Sequence, residues 1–308
     1  MVAARNPGRP SPLLERILLW ADRHSKYILV APAIVLLIAL IAFPLFYLFD
    51  LSLRDVSILN IRSGEAPYVG LGNYADVTVG SASMGPALLR TMIFAGWAVS
   101  IQLLFGLGLA LVFNRQFVGK NLIMTLILVP ILMTPVVIGI FWQLLLNAEW
   151  GLVNELISFL GISPQVWLGN PTLAMVSVIG VEIWWGTPFV TLILLGGLSA
   201  LPQEPYEAAA IDGASAWQSF HFITLPLLAP ILMIAALIRT IDAFRAFDII
   251  YVLTGGGPGT ATRVFALEIF ETAFQRNVYG TASTQAVVLM LVILVFTALL
   301  LRRLGKRA

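Results

Sequence analysis

Charged residues that recur inside strongly apolar stretches are the residues of this sequence that could do chemistry. Four of them follow one another at every third position with alternating sign, namely Arg239, Asp242, Arg245 and Asp248. A second apolar stretch carries Glu182, with Trp185 three residues later. Carboxylates and guanidinium groups bond hydroxyls, and aromatic rings cover apolar faces of a ligand. These residue types therefore suit a site for a hydroxyl-rich solute, although pairing at i, i+3 would simply neutralise the four charges.

The composition places these charges in a membrane. Of the 308 residues, 59% are hydrophobic and 11% are charged, and the mean hydropathy is +0.93, which is far from the composition of a soluble domain. A charge at the bilayer centre costs about 2.5–3.5 kcal/mol on insertion scales, so such residues face the interior of a helix bundle or a water-filled cavity. The sequence has no cysteine, and its two histidines are far apart. We therefore expect no metal site, and the net charge of +2 is too small to suggest nucleic acid.

Apolar runs predict an all-α polytopic membrane protein with six transmembrane helices. The runs cover residues 28–49, 91–113, 122–146, 173–198, 225–253 and 281–301. At 1.5 Å per residue, about 20 residues cross a hydrocarbon core of roughly 30 Å, so each run is long enough. We therefore divide the chain into an N-terminal segment of residues 1–27, a six-span domain of residues 28–301 and a basic tail of residues 302–308.

The distribution of basic residues predicts the orientation of the spans. With the N-terminus inside, the inner segments hold eleven Lys and Arg residues and the outer segments hold five. The positive-inside rule then places both termini, and the loop of residues 202–224, in the cytoplasm.

Helical rise predicts that two of the charged residues lie at similar depth. If residue 173 marks the outer edge of its span, Glu182 lies about 14 Å deep, and Arg239 lies roughly 10 Å from the outer face. We expect the two to meet and to line a solute cavity near the middle of the membrane. The residues predicted to line it are Glu182, Trp185, Phe189, Arg239, Asp242 and Ala246.

The polar segment between the fourth and fifth runs is expected to form a helix, a glycine bend and a second helix. Pro205 suits a first helical turn, and Glu207 follows where a carboxylate favours the positive end of the helix dipole. Gly213 can take the left-handed conformation that ends a helix. Ser215 and Gln218 have the spacing of a capping box for the second helix.

This segment resembles the cytoplasmic EAA loop of permease subunits in binding-protein-dependent ABC importers, and in particular those of the carbohydrate branch. The matching residues are Glu207, Ala208, Ala209, Asp212, Gly213, Ala214, Phe220, Ile223, Thr224, Leu225, Pro226 and Pro230. In that family the loop docks into a groove on a separate ATPase subunit. The resemblance therefore implies ATPase coupling through Glu207, Ala208, Ala209, Asp212, Gly213, Ala214, Ile223, Leu225 and Pro226.

The resemblance also implies a fold and a set of partners. The fold is that of an ABC type I importer permease, in a bacterial cell (inner) membrane and surrounded by lipid. This chain would form half of the translocation path for a sugar or polyol. Its expected partners are a second permease subunit, ATP-binding cassette subunits and an extracytoplasmic solute-binding protein. The TGGGP segment at residues 254–258 resembles an outer turn of sugar permeases.

Enzymatic activity is not expected of this chain. No GxxxxGK[ST] phosphate loop occurs in the sequence, so we expect ATP and Mg to bind to the partner ATPase. We expect no cofactor on this chain. Two other readings remain open. One is an ion-coupled secondary transporter that uses Glu182, Arg239 and Asp242 as a relay, and the other is a membrane scaffold. The balanced charges of the fifth run favour a neutral polyol over an anion as solute.

Overall fold

A computed structural model describes residues 12–63, 65–80 and 84–304 of the chain. The predictions for residues 1–11 and 305–308 lie outside this part. The described residues are nearly all helical, with two isolated β-bridges and no named strand. The chain divides into two compact units, residues 1–51 and residues 52–308.

The described residues of the first unit belong to one long helix. Helix α1 spans Pro12–Ser52 and contains Pro32 and Pro44. It therefore runs without a break through residue 27, where the sequence suggested a boundary. Most of its apolar side chains between residues 29 and 46 are exposed. Its portion His24–Ser52 is long and apolar enough to cross a membrane, which accords with the predicted first span.

The second unit holds the remaining helices of the described chain. Short helices α2 (Ile58–Ser63) and α3 (Gly72–Val79) precede the long helix α4 (Gly85–Phe113). Helices α5 (Lys120–Leu132), α6 (Pro135–Leu145) and α7 (Leu152–Ser158) lead to α8 (Pro171–Ser199). Then follow α9 (Glu204–Ile211), α10 (Ala216–Ser219), a π-helical turn (Phe220–Thr224) and α11 (Leu225–Phe244). Helices α12 (Asp248–Thr254) and α13 (Phe265–Phe270), a second π-helical turn (Glu271–Gln275) and α14 (Tyr279–Leu304) complete this unit.

Six spans are found only if a broken pair of helices is counted as one. Five helices of the described chain meet the length and apolarity of a span, and α5 with α6 makes a sixth. These two helices are bent by 104° with respect to each other. The sequence predicted a single span over residues 122–146 here. The break occurs because proline disfavours the helical conformation of the preceding residue, and Thr134, which precedes Pro135, has an extended backbone with ψ 146°.

The predicted fifth span, residues 225–253, is also interrupted. Helix α11 ends at Phe244, and α12 begins only at Asp248. Arg245 and Ala246 thus lie in a connecting segment and not on a helical face. At the other end the helix extends further back than predicted, because α10, the π-helical turn and α11 form one continuous helical path over Ala216–Phe244.

Helices α4 and α8 pack closely along their length, and small residues permit the contact. A side chain at Gly106 of α4 would place its Cβ 2.5 Å from Cγ1 of Val190 in α8. Likewise, a Cβ at Gly197 of α8 would lie 2.7 Å from Ile231 of α11. Helices α6 and α12 meet in the same way, with Gly139 against Val252. The bundle is therefore built on contacts that larger side chains would push apart.

Polar contacts fasten the segment after α12 to the start of α4. The hydroxyl of Thr91 accepts a hydrogen bond from the backbone N–H of Phe265 at 2.8 Å, and Arg90 Nε donates to the carbonyl of Arg263 at 2.9 Å. Ion pairs add to these bonds: Arg263 and Arg276 each lie within 4 Å of both Glu268 and Glu271. The segment that contains the TGGGP sequence is thus held to α4 on its C-terminal side.

Adding one methyl group at Gly106 should destabilise the bundle, whereas the same change at Gly108 should not. We expect Gly106→Ala to lower the free energy of unfolding by about 1–3 kcal/mol, because the new Cβ overlaps Val190 in a well-packed interior. Gly108 lies two positions further along α4, and its Cβ would meet nothing within 4 Å. Heat-induced unfolding of both variants in detergent tests this, and equal destabilisation would contradict the described packing.

Candidate functional site

The guanidinium group of Arg239 lies at the centre of a buried polar cluster. Arg239 is on α11, and its Nη2 donates to Oε1 of Glu182 on α8 at 2.5 Å. Its Nη1 donates to Oδ2 of Asp242 at 3.3 Å. The side chains of Arg239 and Glu182 are both buried, whereas that of Asp242 is 44% exposed. The predicted encounter of Glu182 with Arg239 is therefore present, and a carboxylate on each side compensates the buried positive charge.

A third helix contributes to this cluster through Gln102. This residue of α4 is completely buried. Its Oε1 accepts a hydrogen bond from Arg239 Nε at 2.9 Å, and its Nε2 donates to the backbone carbonyl of Glu182 at 2.7 Å. Gly186 makes room for these contacts, since a Cβ there would lie 2.5 Å from both Arg239 Nη2 and Gln102 Nε2. Three helices thus converge on one guanidinium group.

The aromatic ring of Trp185 covers the face of the same guanidinium. The Cζ of Arg239 lies 5.6 Å from the centre of the Trp185 ring, which is a cation–π distance. The indole Nε1 of Trp185 is buried and has no hydrogen-bond partner within the described part of the chain. Because a buried N–H without a partner costs free energy, a bound hydroxyl or water at this position would be stabilised.

A cavity of about 270 Å³ lies next to this cluster. It is lined by Pro135, Glu182, Trp185, Asp242, Arg245, Ala246, Phe247, Asp248 and Ile249. Four of the six residues predicted to contact solute therefore border it, namely Glu182, Trp185, Asp242 and Ala246. Arg239 does not line the cavity but bonds two residues that do. Phe189, the sixth, is half-buried and is not one of the lining residues.

Both interruptions of the predicted spans border this cavity. Pro135 is the first residue of α6, and Asp248 is the first residue of α12. Irregular backbone at membrane depth is tolerated where it is buried in protein or lines a cavity. The break after Phe244 also separates the charges: Arg239 pairs with Asp242, whereas neither Arg245 nor Asp248 has an ion pair in the described part of the chain. Mutual neutralisation at i, i+3 is therefore present for one of the two pairs.

The polar loop after α8 has the predicted order of helix, glycine bend and helix. Helix α9 has a proline in its first turn and glutamates at Glu204 and Glu207. Gly213 has φ +73°, in the left-handed region that glycine favours. Ser215 accepts from the backbone N–H of Gln218, whose side chain in turn accepts from the backbone N–H of Ser215, and this completes the capping box.

The loop presents an exposed surface. Ile211 is 87% exposed and Trp217 is 71% exposed, so apolar side chains of the loop are accessible to a partner. Among the residues that the resemblance assigns to coupling, Glu207, Ala208, Asp212, Gly213 and Pro226 are exposed, and Ala209, Ala214, Ile223 and Leu225 are half-buried.

A π-helical turn joins this loop to α11. Pro226 has no N–H, so the carbonyl of Phe222 lacks its usual helical partner, and the N–H of Leu225 bonds instead to the carbonyl of Phe220, five residues earlier. The hydroxyl of Tyr206 on α9 donates to Oγ1 of Thr224 at 3.0 Å. This bond connects the first helix of the loop with the base of α11, beside a cavity of about 480 Å³.

The structure adds residues that the sequence analysis did not assign to the site. Arg245 and Asp248 were noticed as charges but not placed at the cavity. Gln102 was missed, although its amide is a conspicuous polar group within the apolar run 91–113. Nothing in the sequence marks Gly186 as the glycine that makes room for Arg239 and Gln102, because glycines are frequent in membrane helices. No group of three or more His, Asp or Glu residues that could hold a metal occurs in residues 12–63, 65–80 and 84–304.

The losses of stability on removing the two partners of the buried ion pair should not be additive. We expect Glu182→Gln or Arg239→Met alone to lower the free energy of unfolding by about 3–5 kcal/mol, because each takes from a buried charge its buried, oppositely charged partner. The double variant should be less destabilised than the sum of the two. Heat-induced unfolding in detergent measures all three variants, with Glu155→Gln on the exposed surface of α7 as control. Additive losses would show that the two side chains do not interact.

Comparison with known proteins places the chain in a family. Residues 102–308 match the family described as binding-protein-dependent transport system inner membrane component. The chain is 39% identical over 283 residues to the trehalose/maltose transport system permease protein MalF of Thermococcus litoralis, with 91% of this chain and 94% of that protein covered. It is 36% identical over 244 residues to the trehalose transport system permease protein SugA of Mycobacterium tuberculosis, with 79% and 76% covered.

A solved structure shares the fold. A chain of a bacterial ABC transporter involved in the import of the acidic polysaccharide alginate aligns with a TM-score of 0.81 at 20% identity, over 94% of this chain and 99% of that one. The expected all-α permease fold is thereby confirmed. From the match over two thirds of its length and its identity with these relatives, the chain belongs to the family of inner-membrane components of binding-protein-dependent transport systems.

Proposed function

We propose that this chain is the permease subunit of an ATP-driven importer and forms half of the translocation path for an uncharged sugar or polyol. It would pair with a second permease subunit, receive solute from an extracytoplasmic binding protein and be driven by separate ATP-binding cassette subunits, which hold ATP and Mg. Both termini would lie in the cytoplasm, as the distribution of Lys and Arg favours.

One observation carries this proposal. The exposed loop of residues 202–224 leads without interruption into the helix that bears the buried charge cluster, since α10, the π-helical turn and α11 form a continuous path over Ala216–Phe244. At its other end, four residues connect α9 to α8, which bears Glu182 and Trp185. A displacement of the loop by a closing ATPase would therefore act on α8 and α11, two of the helices that carry cavity residues.

The lining of the cavity supports an uncharged, hydroxyl-rich solute. Carboxylates accept hydrogen bonds from hydroxyls, and the cavity presents three of them, on Glu182, Asp242 and Asp248. Arg245 is the one guanidinium among its lining residues. An acidic solute would meet more carboxylates than cations and would be disfavoured by like-charge repulsion. The names of the two relatives compared above refer to trehalose or maltose, which are neutral sugars.

The coupling part of the proposal is tested by capture of the ATPase. We expect the purified chain to retain an ATP-binding cassette subunit, and Glu207→Arg and Gly213→Trp each to reduce the retained amount at least tenfold. The first variant reverses a charge on the exposed side of α9, and the second forces a bulky residue into a left-handed bend. Native mass determination identifies the subunits, and Glu155→Arg on the exposed part of α7 serves as the matched charge-reversal control. Equal retention by all variants would refute docking through this loop.

The energy source and the solute are tested in membrane vesicles. We expect uptake of trehalose to require ATP and to continue when the proton gradient is dissipated at constant ATP. Asp242→Asn should reduce uptake at least fivefold, because this side chain borders the cavity and is 44% exposed. Uptake that stops with the gradient would instead support an ion-coupled carrier that uses Glu182, Arg239 and Asp242.

A further inference from the structure

We propose that Gln102 is a positioning residue of the solute cavity: it acts through Arg239 and keeps that guanidinium turned into the protein, so that carboxylates and not the guanidinium face the solute. This inference rests on the proposed function only for the identity of the solute. The geometry of the cluster carries the positioning role itself.

The hydrogen bonds of Gln102 fix the direction in which its amide points. Arg239 Nε can only donate and the carbonyl of Glu182 can only accept, so the amide must present its oxygen to the first and its NH₂ group to the second. An ionised carboxylate at position 102 would place one of its oxygens against the carbonyl oxygen of Glu182, and the two would repel each other. An apolar side chain would bond neither this carbonyl nor Arg239 Nε. Of glutamine, ionised glutamate and methionine, glutamine alone satisfies both partners.

The bond to Nε determines where the rest of the guanidinium lies. The guanidinium is planar and its donors have a fixed fork geometry. When Nε is held by Gln102, the two Nη atoms point towards Glu182 and Asp242. Gln102 is the only one of these three side-chain partners that does not line the cavity. Without it, the hydrogen-bonding partners of Arg239 in this cluster would all lie on the cavity side.

The surroundings restrict how the guanidinium can turn. On the α8 side it contacts Gly186, where no space for even a Cβ remains. The ring of Trp185 covers one of its faces. Asp242, at the opposite end, is partly exposed to the cavity. Loss of the Gln102 bond should therefore let the positive charge shift towards the cavity and compete with solute hydroxyls for the carboxylate oxygens.

A single-cysteine reporter tests this without any solute. The chain contains no cysteine, so Ala246→Cys, at the cavity lining, provides a unique thiol. We expect Gln102→Met to raise at least threefold the ratio of the labelling rates of an anionic and a cationic methanethiosulfonate reagent, because the guanidinium comes closer. Gln285→Met is the matched control, since Gln285 is also a buried glutamine but lies on α14, and its ratio should stay the same.

A second measurement links the positioning role to the solute. We expect Gln102→Met to weaken equilibrium binding of trehalose to the purified full-length protein, with its associated subunits, about tenfold, and Gln285→Met to change it less than twofold. Gln102→Glu keeps an acceptor for Arg239 and should bind more tightly than Gln102→Met. If Gln102→Met does not fold, Gln102→Glu replaces it in the labelling test. Its ratio of anionic to cationic labelling rates should then be closer to that of the wild type than to a threefold rise.

The outcomes separate the two proposals. An unchanged labelling ratio in Gln102→Met, or an equal rise in Gln285→Met, would overturn the positioning role of Gln102. If Gln102→Glu is used in place of Gln102→Met, a rise of threefold or more in the labelling ratio would also overturn the positioning role. A raised ratio together with a wild type that binds no trehalose would leave the positioning role supported and count against the proposed sugar. A raised ratio with unchanged trehalose affinity in Gln102→Met would show that Arg239 moves but does not govern solute binding, and would contradict the proposal.

Discussion

A positive charge buried among apolar helices is the constraint on which this structure depends. Removing the guanidinium of Arg239 from water costs free energy that its partners must compensate. The structure supplies carboxylates from Glu182 and Asp242, an amide oxygen from Gln102 and the ring of Trp185. These partners come from α4, α8 and α11, so the need to satisfy one guanidinium brings three long helices together at one level.

The interruptions of the helices are part of the same arrangement. A membrane span normally satisfies its backbone hydrogen bonds internally, and exposed irregular backbone is excluded from the hydrocarbon. Here Thr134 and Pro135 interrupt one predicted span, and residues 245–247 interrupt another. Both interruptions border the cavity beside Arg239. The breaks thereby place Arg245 and Asp248 at the cavity. A regular helix would have kept both residues along its own surface.

The cavity and the exposed loop are connected by continuous secondary structure. Helix α8 carries Glu182 and Trp185 and ends shortly before α9, and α11 carries Arg239 and follows the π-helical turn without a gap. The Tyr206–Thr224 hydrogen bond joins α9 to the base of α11. A π-helical turn alters the helical hydrogen-bond pattern locally and is frequent at functional sites. The loop is therefore attached to both helices that form the charge cluster, and we regard this as the basis of coupling in the proposed importer.

The sequence by itself determined the apolar runs, the helix–glycine–helix loop with its capping box, and the meeting of Glu182 with Arg239. Each of these follows from local rules: helical rise, the conformational freedom of Gly213, the reach of Ser215 and Gln218, and the cost of a charge in lipid. Only the tertiary structure decided that Gln102 bonds Arg239, that Gly186 makes room for this bond, that Phe189 lies away from the cavity and that α11 ends at Phe244. These features depend on which faces of distant helices come into contact, and no local pattern specifies that. The buried Arg239 selects one arrangement of α4, α8 and α11. In this arrangement Arg239, Glu182 and Asp242 each have a partner of opposite charge.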